Sequence, residues 1–309
     1  MKSVVVTGAT SMMGSSLIRS LLQKKVEKIY AVVQEGSPNM SKLPADSKIE
    51  CIQCNCNDYD KLSEIIKEKS DVFYHFAWLH SKIPGRERYF DVEVGYQNIG
   101  QTLKALSSAA RLGCHTFVGA GSQAEYGNKR EMIQKPDDVS DPITAYAIAK
   151  DACRRMCMLK AAELGIDVQW VRIFSVFGPH DRKNTMISTI LPKLLRGEAV
   201  ELTDCTQVWE YLYEDDAGDG LYYAGLAQGS NVFCLGSGEA KPLKAFVEEM
   251  KSVADSGSVI HYGAIPHTSE AVMNLHSDIT KLKDATGWGG PKVSFGEGIR
   301  KIVSAIEET

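Results

Sequence analysis

Runs of apolar and β-branched residues recur through the first half of the chain: SVVVT, IYAVV, IECIQC, DVFYHFA, HTFVGA and VQWVRIF. Most are nearly continuous in apolar residues rather than alternating, the pattern of strands buried on both faces. The stretches between them repeat apolar residues at three- and four-residue spacing. That spacing predicts helices over Met12–Lys24, Asp58–Lys69, Arg88–Leu112 and Ala145–Leu164. Strands alternating with crossover helices imply an α/β fold, a doubly wound parallel sheet of Rossmann type covered on both faces. After about Gly178 this rhythm breaks. Helices predicted over Met186–Arg196, Asp215–Ala227 and Leu243–Ala254 mix with short strands such as WEYLY and SNVFCLG. The expected division is a sheet domain over 1–178, with some later segments returning to it, and a smaller C-terminal α/β lobe over 179–309. That lobe would lie at the sheet's carboxyl edge, where open α/β folds bind ligands.

The bulk numbers narrow the function classes. A chain of 309 residues, 44% hydrophobic and 24% charged, has the make-up of an ordinary globular protein with a full core. A net charge of -4 leaves no basic footprint for nucleic acid. No apolar run approaches the roughly 20 residues of a membrane span. The opening MKSVVVTGAT meets Gly8 too early for a signal peptide and reads as a first strand, so a cytoplasmic location is expected. Cys51, Cys54 and Cys56 lack the second, separated pair that a zinc site commonly uses, so free thiols and no metal are expected.

The stretch VVVTGATSMMGSSL runs from the first strand through Gly8, Thr10, Ser11, Met12, Met13 and Gly14 into the first helix. A dinucleotide site needs a tight turn, close approach of backbone to pyrophosphate at a helix N-terminus, and close helix–strand packing. Gly8 and Gly14 suit the first and third needs. Ser11 stands where a second glycine is more usual, and its hydroxyl could face phosphate. Strand two ends AVVQEGS, with neutral Gln34 at the position where an acid usually marks NAD and Glu35 next to it. On that basis NADP(H) is expected over NAD(H).

In AYAIAKDACRRM, Tyr146 and Lys150 are four residues apart and share one helix face. Tyr and Lys are common enough here for chance to supply such a spacing. The ordered set TGATSMMG, YHFAW, NIGQTLKAL, GSQAEYG, YAIAK, RIFSVFGP, QVWEYLYEDDAG and DITKLKDATGW changes that reading. Over nearly its whole length the chain resembles an extended short-chain dehydrogenase/reductase of the nucleotide-sugar epimerase/dehydratase superfamily.

The resemblance implies roles. Tyr146 would be the acid/base, its phenol, ordinarily near pKa 10, drawn down by the Lys150 ammonium. Lys150 would also hold the nicotinamide ribose. Ser122 would hydrogen-bond the reacting oxygen, and Asn98 would stand on the Lys150 side of the site. Asn55, with Cys56, falls where the family contacts adenine. Phe76, Ala77 and Trp78 follow strand four along the cofactor path, and Phe174 and Val176 flank it in RIFSVFGP. Gln123, Ser175, Trp209 and Arg182 fall in the substrate region. Ser175 replaces a common Asn and Trp209 a common Arg, so either Arg182, Lys183, Lys193 or Arg196 supplies charge to a diphosphate or the substrate sits differently. His75, His80 and His180 show no partner in sequence and read as packing or surface residues. The resemblance also implies a homodimer through the helices Arg88–Leu112 and Ala145–Leu164.

The reaction is read from departures. Family 4,6-dehydratases place an Asp-Glu pair after the catalytic hydroxyl residue. Here those positions are Gln123 and Ala124, which argues against dehydration and, through Ala124, against decarboxylation. Reduction of a nucleotide-linked 4-keto-6-deoxyhexose is the first expectation. A 4-epimerase is the alternative. A non-catalytic cofactor-binding sensor is disfavoured because Ser122, Tyr146 and Lys150 are all present.

Overall fold

The computed structural model describes residues 1–37, 39–40, 43–79, 89–128, 133–267 and 271–308. Its centre is a seven-stranded sheet built from β1 (Ser3–Thr7), β2 (Lys28–Val33), β3 (Ile49–Gln53), β4 (Val72–His75), β5 (Thr116–Ser122), β6 (Asp167–Ile173) and β11 (Asn231–Leu235). The spatial order is β11-β6-β5-β4-β1-β2-β3 and every pairing is parallel. β1, β2, β4, β5 and β6 are buried almost end to end, as expected where helices cover both faces. Edge strand β3 is mostly exposed.

The order reverses between β1 and β4. Each sends its chain away on the opposite side, which opens a crevice beyond their carboxyl ends. The flanking helices are α1 (Met12–Leu22), the single turn α2 (Leu62–Ile65), α3 (Val92–Arg111), α4 (Ala145–Leu164) and α6 (Glu214–Ala224). One apolar cluster joins Val4, Val6, Leu17, Ile18, Tyr74, Leu221, Phe233 and Trp288. A second joins Val5, Phe73, Leu106, Phe117, Cys157 and Val168.

Later segments form three small two-stranded sheets. β7 (Val176–Phe177) pairs with β10 (Leu212–Tyr213), β9 (Val208–Trp209) with β12 (Lys241–Pro242), and β8 (Val200–Glu201) with β13 (Ile260–His261). With α5 (Met186–Leu195), α7 (Leu243–Val253) and α9 (Phe295–Glu307) they enclose a separate cluster around Phe177, Leu191, Phe246 and Ile299. Helix α8 (Thr280–Thr286) packs Leu282 into the first cluster.

Four expectations change. SNVFCLG, read with the later lobe, is β11 and closes one edge of the main sheet against β6. WEYLY is two short strands in different sheets, with wholly buried Glu210 between them. The helix expected over Asp58–Lys69 is a 3₁₀ turn, Cys56–Lys61, followed by α2. It stops because Ile66 takes an extended conformation that buries its side chain with Tyr59 and Leu62. The helix expected from Arg88 starts at Val92, where Asp91 accepts the Val94 N–H at 3.0 Å; Arg88 lies outside the described residues.

Candidate active site

The loop after β1 is shaped by two glycines. Gly8 has φ of +67°, and a Cβ there would lie 2.7 Å from the Ala77 nitrogen at the end of β4. At Gly14 a Cβ would lie 2.3 Å from the Gly8 carbonyl oxygen, so only glycine lets α1 start this close to β1. Ser11 caps α1, its Oγ accepting the Gly14 N–H at 3.1 Å. The capping contact uses the Ser11 oxygen as acceptor and leaves its O–H hydrogen free to donate. The N–H groups of Met12 and Met13 open the helix without intrahelical partners, and with the helix dipole they suit an anion. Thr10 and Met13 are half-buried beside them.

Gln34 and Glu35 are both exposed beyond β2. The Asn55 amide donates to Glu35 Oε2 at 3.4 Å, which ties the ends of β2 and β3 together and holds a carboxylate at the crevice rim. Cys56 Sγ is turned to the Tyr59 hydroxyl at 3.5 Å. A Gly14→Val variant should lose bound dinucleotide, because backbone cannot yield the missing space. Equilibrium dialysis should show at least about a hundredfold weaker binding, equivalent to roughly 3 kcal/mol.

α4 carries the Tyr–Lys pair. Thr144 caps it by accepting the Ala147 N–H at 3.2 Å, which sets Tyr146 in the first turn and Lys150 one turn on. Tyr146 meets Trp78 and Tyr89 edge-on, with ring centroids 5.5 and 5.4 Å away. Lys150 is buried. Its Nζ donates to the Ala120 carbonyl at 2.7 Å and sits 3.6 Å from the centre of the Trp78 ring. Burial pushes the Lys150 ammonium down to about 8.

Burial raises the Tyr146 phenol; hydrogen bonding from Ser122 and the positive charge of Arg182 draw it back. Arg182 is thus one cation whose charge bears on the phenol. Lys150 Nζ is 5.8 Å from the Tyr146 ring centre and is committed to Ala120 and Trp78.

Ser122 ends β5 and caps the turn that follows, its Oγ accepting the Ala124 N–H at 3.2 Å. Asn98 on α3 does not turn its amide toward the phenol. Its Oδ1 accepts the Leu79 N–H at 2.8 Å and its Nδ2 donates to the Val94 carbonyl at 2.8 Å. It anchors the segment carrying Ala77 and Trp78.

The other expected residues divide. Ser175, Val176 and Trp209 line a cavity of about 240 Å³ with Asp181, Met186 and Tyr211. Trp209 Nε1 is buried with no hydrogen-bond partner among the described residues. Phe76 is buried in the first apolar cluster. Phe174 is buried with Tyr126, Cys234 and Leu275, so its ring faces core rather than the crevice. Arg196 is paired with Glu198 on the surface at 2.6 Å, away from any phosphate role. His75 bonds Thr7 at 2.8 Å and Thr102 at 3.3 Å, and burial lowers it to about 3, so it is a neutral packing residue. His180 pairs with buried Glu214 at 2.6 Å. His80 lies outside the described residues.

Glu125 and Arg172 were not singled out in the sequence. Their carboxylate and guanidinium form a buried pair at 2.9 Å directly behind Ser122. A signal existed for Glu125: Ser122 followed three residues later by Glu is a capping box.

A model of the NAD dependent epimerase/dehydratase family matches residues 4–236. The chain is 26% identical to UDP-glucuronic acid decarboxylase 1 of Arabidopsis thaliana, over 97% of this chain and 69% of that one. Its fold superposes on the UDP-glucose 4-epimerase of Thermotoga maritima with a TM-score of 0.86, at 21% identity and 99% coverage of both chains. It superposes on the UDP-glucuronic acid 4-epimerase of Bacillus cereus, solved in complex with NAD, with a TM-score of 0.82, at 20% identity and 99% coverage of both. Since the family match takes in the Gly8–Gly14 loop, Ser122, Tyr146 and Lys150, the chain belongs to the NAD dependent epimerase/dehydratase family.

Proposed function

We propose that this protein is an NAD-dependent epimerase that inverts C4 of a nucleotide-linked hexose. The observation that carries the reading is the grouping of Ser122, Tyr146 and Lys150 at the end of β5 and the start of α4, with Gln123 and Ala124 where elimination would need an acid and a base. Epimerisation needs only a reversible hydride exchange and one proton shuttle. Ketosugar reduction, the first expectation, is not favoured by the comparisons, in which 4-epimerases recur.

NAD, held at the Gly8–Gly14 loop, supplies the hydride acceptor and donor. Glu35 supports NAD over the NADP expected from Gln34. An exposed carboxylate steadied by Asn55 suits a ribose hydroxyl and repels a 2′-phosphate. Tyr146 takes the proton of the sugar 4-hydroxyl as C4 is oxidised and returns it when C4 is reduced from its other face. Ser122 orients that oxygen. Lys150, desolvated against Trp78, holds the ribose side of the site. Arg182 lowers the cost of the phenolate.

The test is nucleotide content by mass spectrometry of the denatured protein, followed by NMR of UDP-hexoses incubated with it. Near-stoichiometric NAD and inversion at C4 are expected. An empty site with NADPH consumed by a 4-keto-6-deoxyhexose would overturn this reading for the reductase.

We also propose a homodimer. Val92 and Tyr96 on α3 are 74% and 72% exposed, and Leu159 on α4 is 73% exposed, on the face it shares with Ile148. A second copy would cover these side chains. Light scattering should give a dimer, and Leu159→Glu should shift it toward monomer.

A further inference from the structure

The proposed chemistry leaves Glu125 unused, although its carboxylate is hydrogen-bonded to the backbone of Ser122. The side chain is wholly buried. Its Oε1 accepts the Ser122 backbone N–H at 2.8 Å and Trp170 Nε1–H at 3.0 Å. Its Oε2 accepts Arg172 Nε–H at 2.9 Å. Arg172 is itself 1% exposed, donates to the Pro136 carbonyl at 3.1 Å and lies 4.4 Å from the Tyr126 ring centre. The pair is set by sheet register, since Arg172 on β6 stands opposite Gly121 on β5, one residue before Ser122.

A buried ion pair is poor evidence of stabilisation, because apolar residues of similar volume often do as well. This pair does something an apolar pair could not: one carboxylate oxygen grips the backbone of the residue whose hydroxyl meets Tyr146. We propose that Glu125, clamped by Arg172, is a positioning residue that sets the Ser122 hydroxyl against Tyr146. The inference rests on the proposed function for its kinetic consequence.

Its electrostatic consequence does not depend on turnover. The groups acting on the Tyr146 phenol are Ser122 and Glu125 from the turn after β5, Lys150 from α4, Arg182 from the loop after β7, and Tyr89. Among these, the Glu125 charge opposes the phenolate. Removing it leaves Arg172 uncompensated as well, and both changes favour ionisation.

Two variants separate the roles. Glu125→Gln retains an acceptor for Ser122 and Trp170 and removes the charge. The double variant Glu125→Val/Arg172→Met removes grip and charge together while filling the volume with apolar atoms. Tyrosinate absorbance, read as a difference against Tyr146→Phe, titrates the phenol with no substrate present. Glu125→Gln should move that titration to lower pH. The double variant should melt near wild type and retain its nucleotide, with kcat down about 10- to 100-fold and KM little changed, the signature of a misplaced group. An unshifted titration in Glu125→Gln, or wild-type kcat in a folded double variant, would overturn the proposal. If the wild type turns over no nucleotide-hexose, the proposed function fails, and comparing the Tyr146 titration of the double variant, which loses the grip on Ser122, with that of Glu125→Gln, which keeps it, still decides the role of Glu125: coincident titrations would overturn the positioning role.

Discussion

Tyr146→Phe should lower kcat by about 10²- to 10⁴-fold, the range for loss of a positioned acid/base, with little effect on folding or on retained nucleotide. The phenol hydrogen-bonds Ser122, and the ring is held by Trp78 and Tyr89 through edge contacts that Phe can reproduce. The change therefore removes one oxygen and leaves the packing. Single-turnover reduction of bound NAD by substrate separates the two contributions. If Tyr146 moves the proton, that first half-reaction should slow as much as kcat does. Unchanged single-turnover rates would assign the proton to another group and leave Tyr146 a packing residue.

Lys150→Met should lower kcat/KM by about 10- to 150-fold, the value of a charged hydrogen bond contributing roughly 1.5–3 kcal/mol. At the same time it should raise the melting temperature. Burial draws the ammonium down to about 8 from its ordinary 10.5. A base whose folded pKa is depressed destabilises the folded state at every pH below that value, and the penalty fades as pH rises from about 8 toward 10.5. Met fills the channel beneath Trp78 without that penalty. Wild-type activity should fall on the alkaline side as pH rises through about 8, where Lys150 loses its proton. Lys150→Arg should lack that alkaline fall, since a guanidinium stays charged. A melting temperature lowered by Lys150→Met would mean that the cation–π contact and the bond to Ala120 outweigh desolvation.

These two residues also show how far the site was legible. The pairing of Tyr146 with Lys150 is a local matter: four residues apart on one helix, which the structure shows to be capped by Thr144. The direction in which Lys150 points is not local. It depends on the Ala120 carbonyl from β5 and on Trp78 from the segment after β4, each far away in the chain. The effect of Arg182 on Tyr146 is likewise not local, since its charge reaches the phenol from the loop after β7.

The sequence by itself determined the elements and the loop chemistry. Strands buried on both faces are mostly apolar, and α1 can begin against β1 only at a glycine. Each of these is a short-range requirement written in adjacent residues. Tertiary structure alone decided that Asn231–Leu235 joins the main sheet, that Phe174 turns into core, that Asn98 spends its amide on Leu79, and that Glu125 and Arg172 meet behind Ser122. All four depend on which strands become neighbours and in what register. That choice is made by burial summed over the whole chain, and no window of residues contains it.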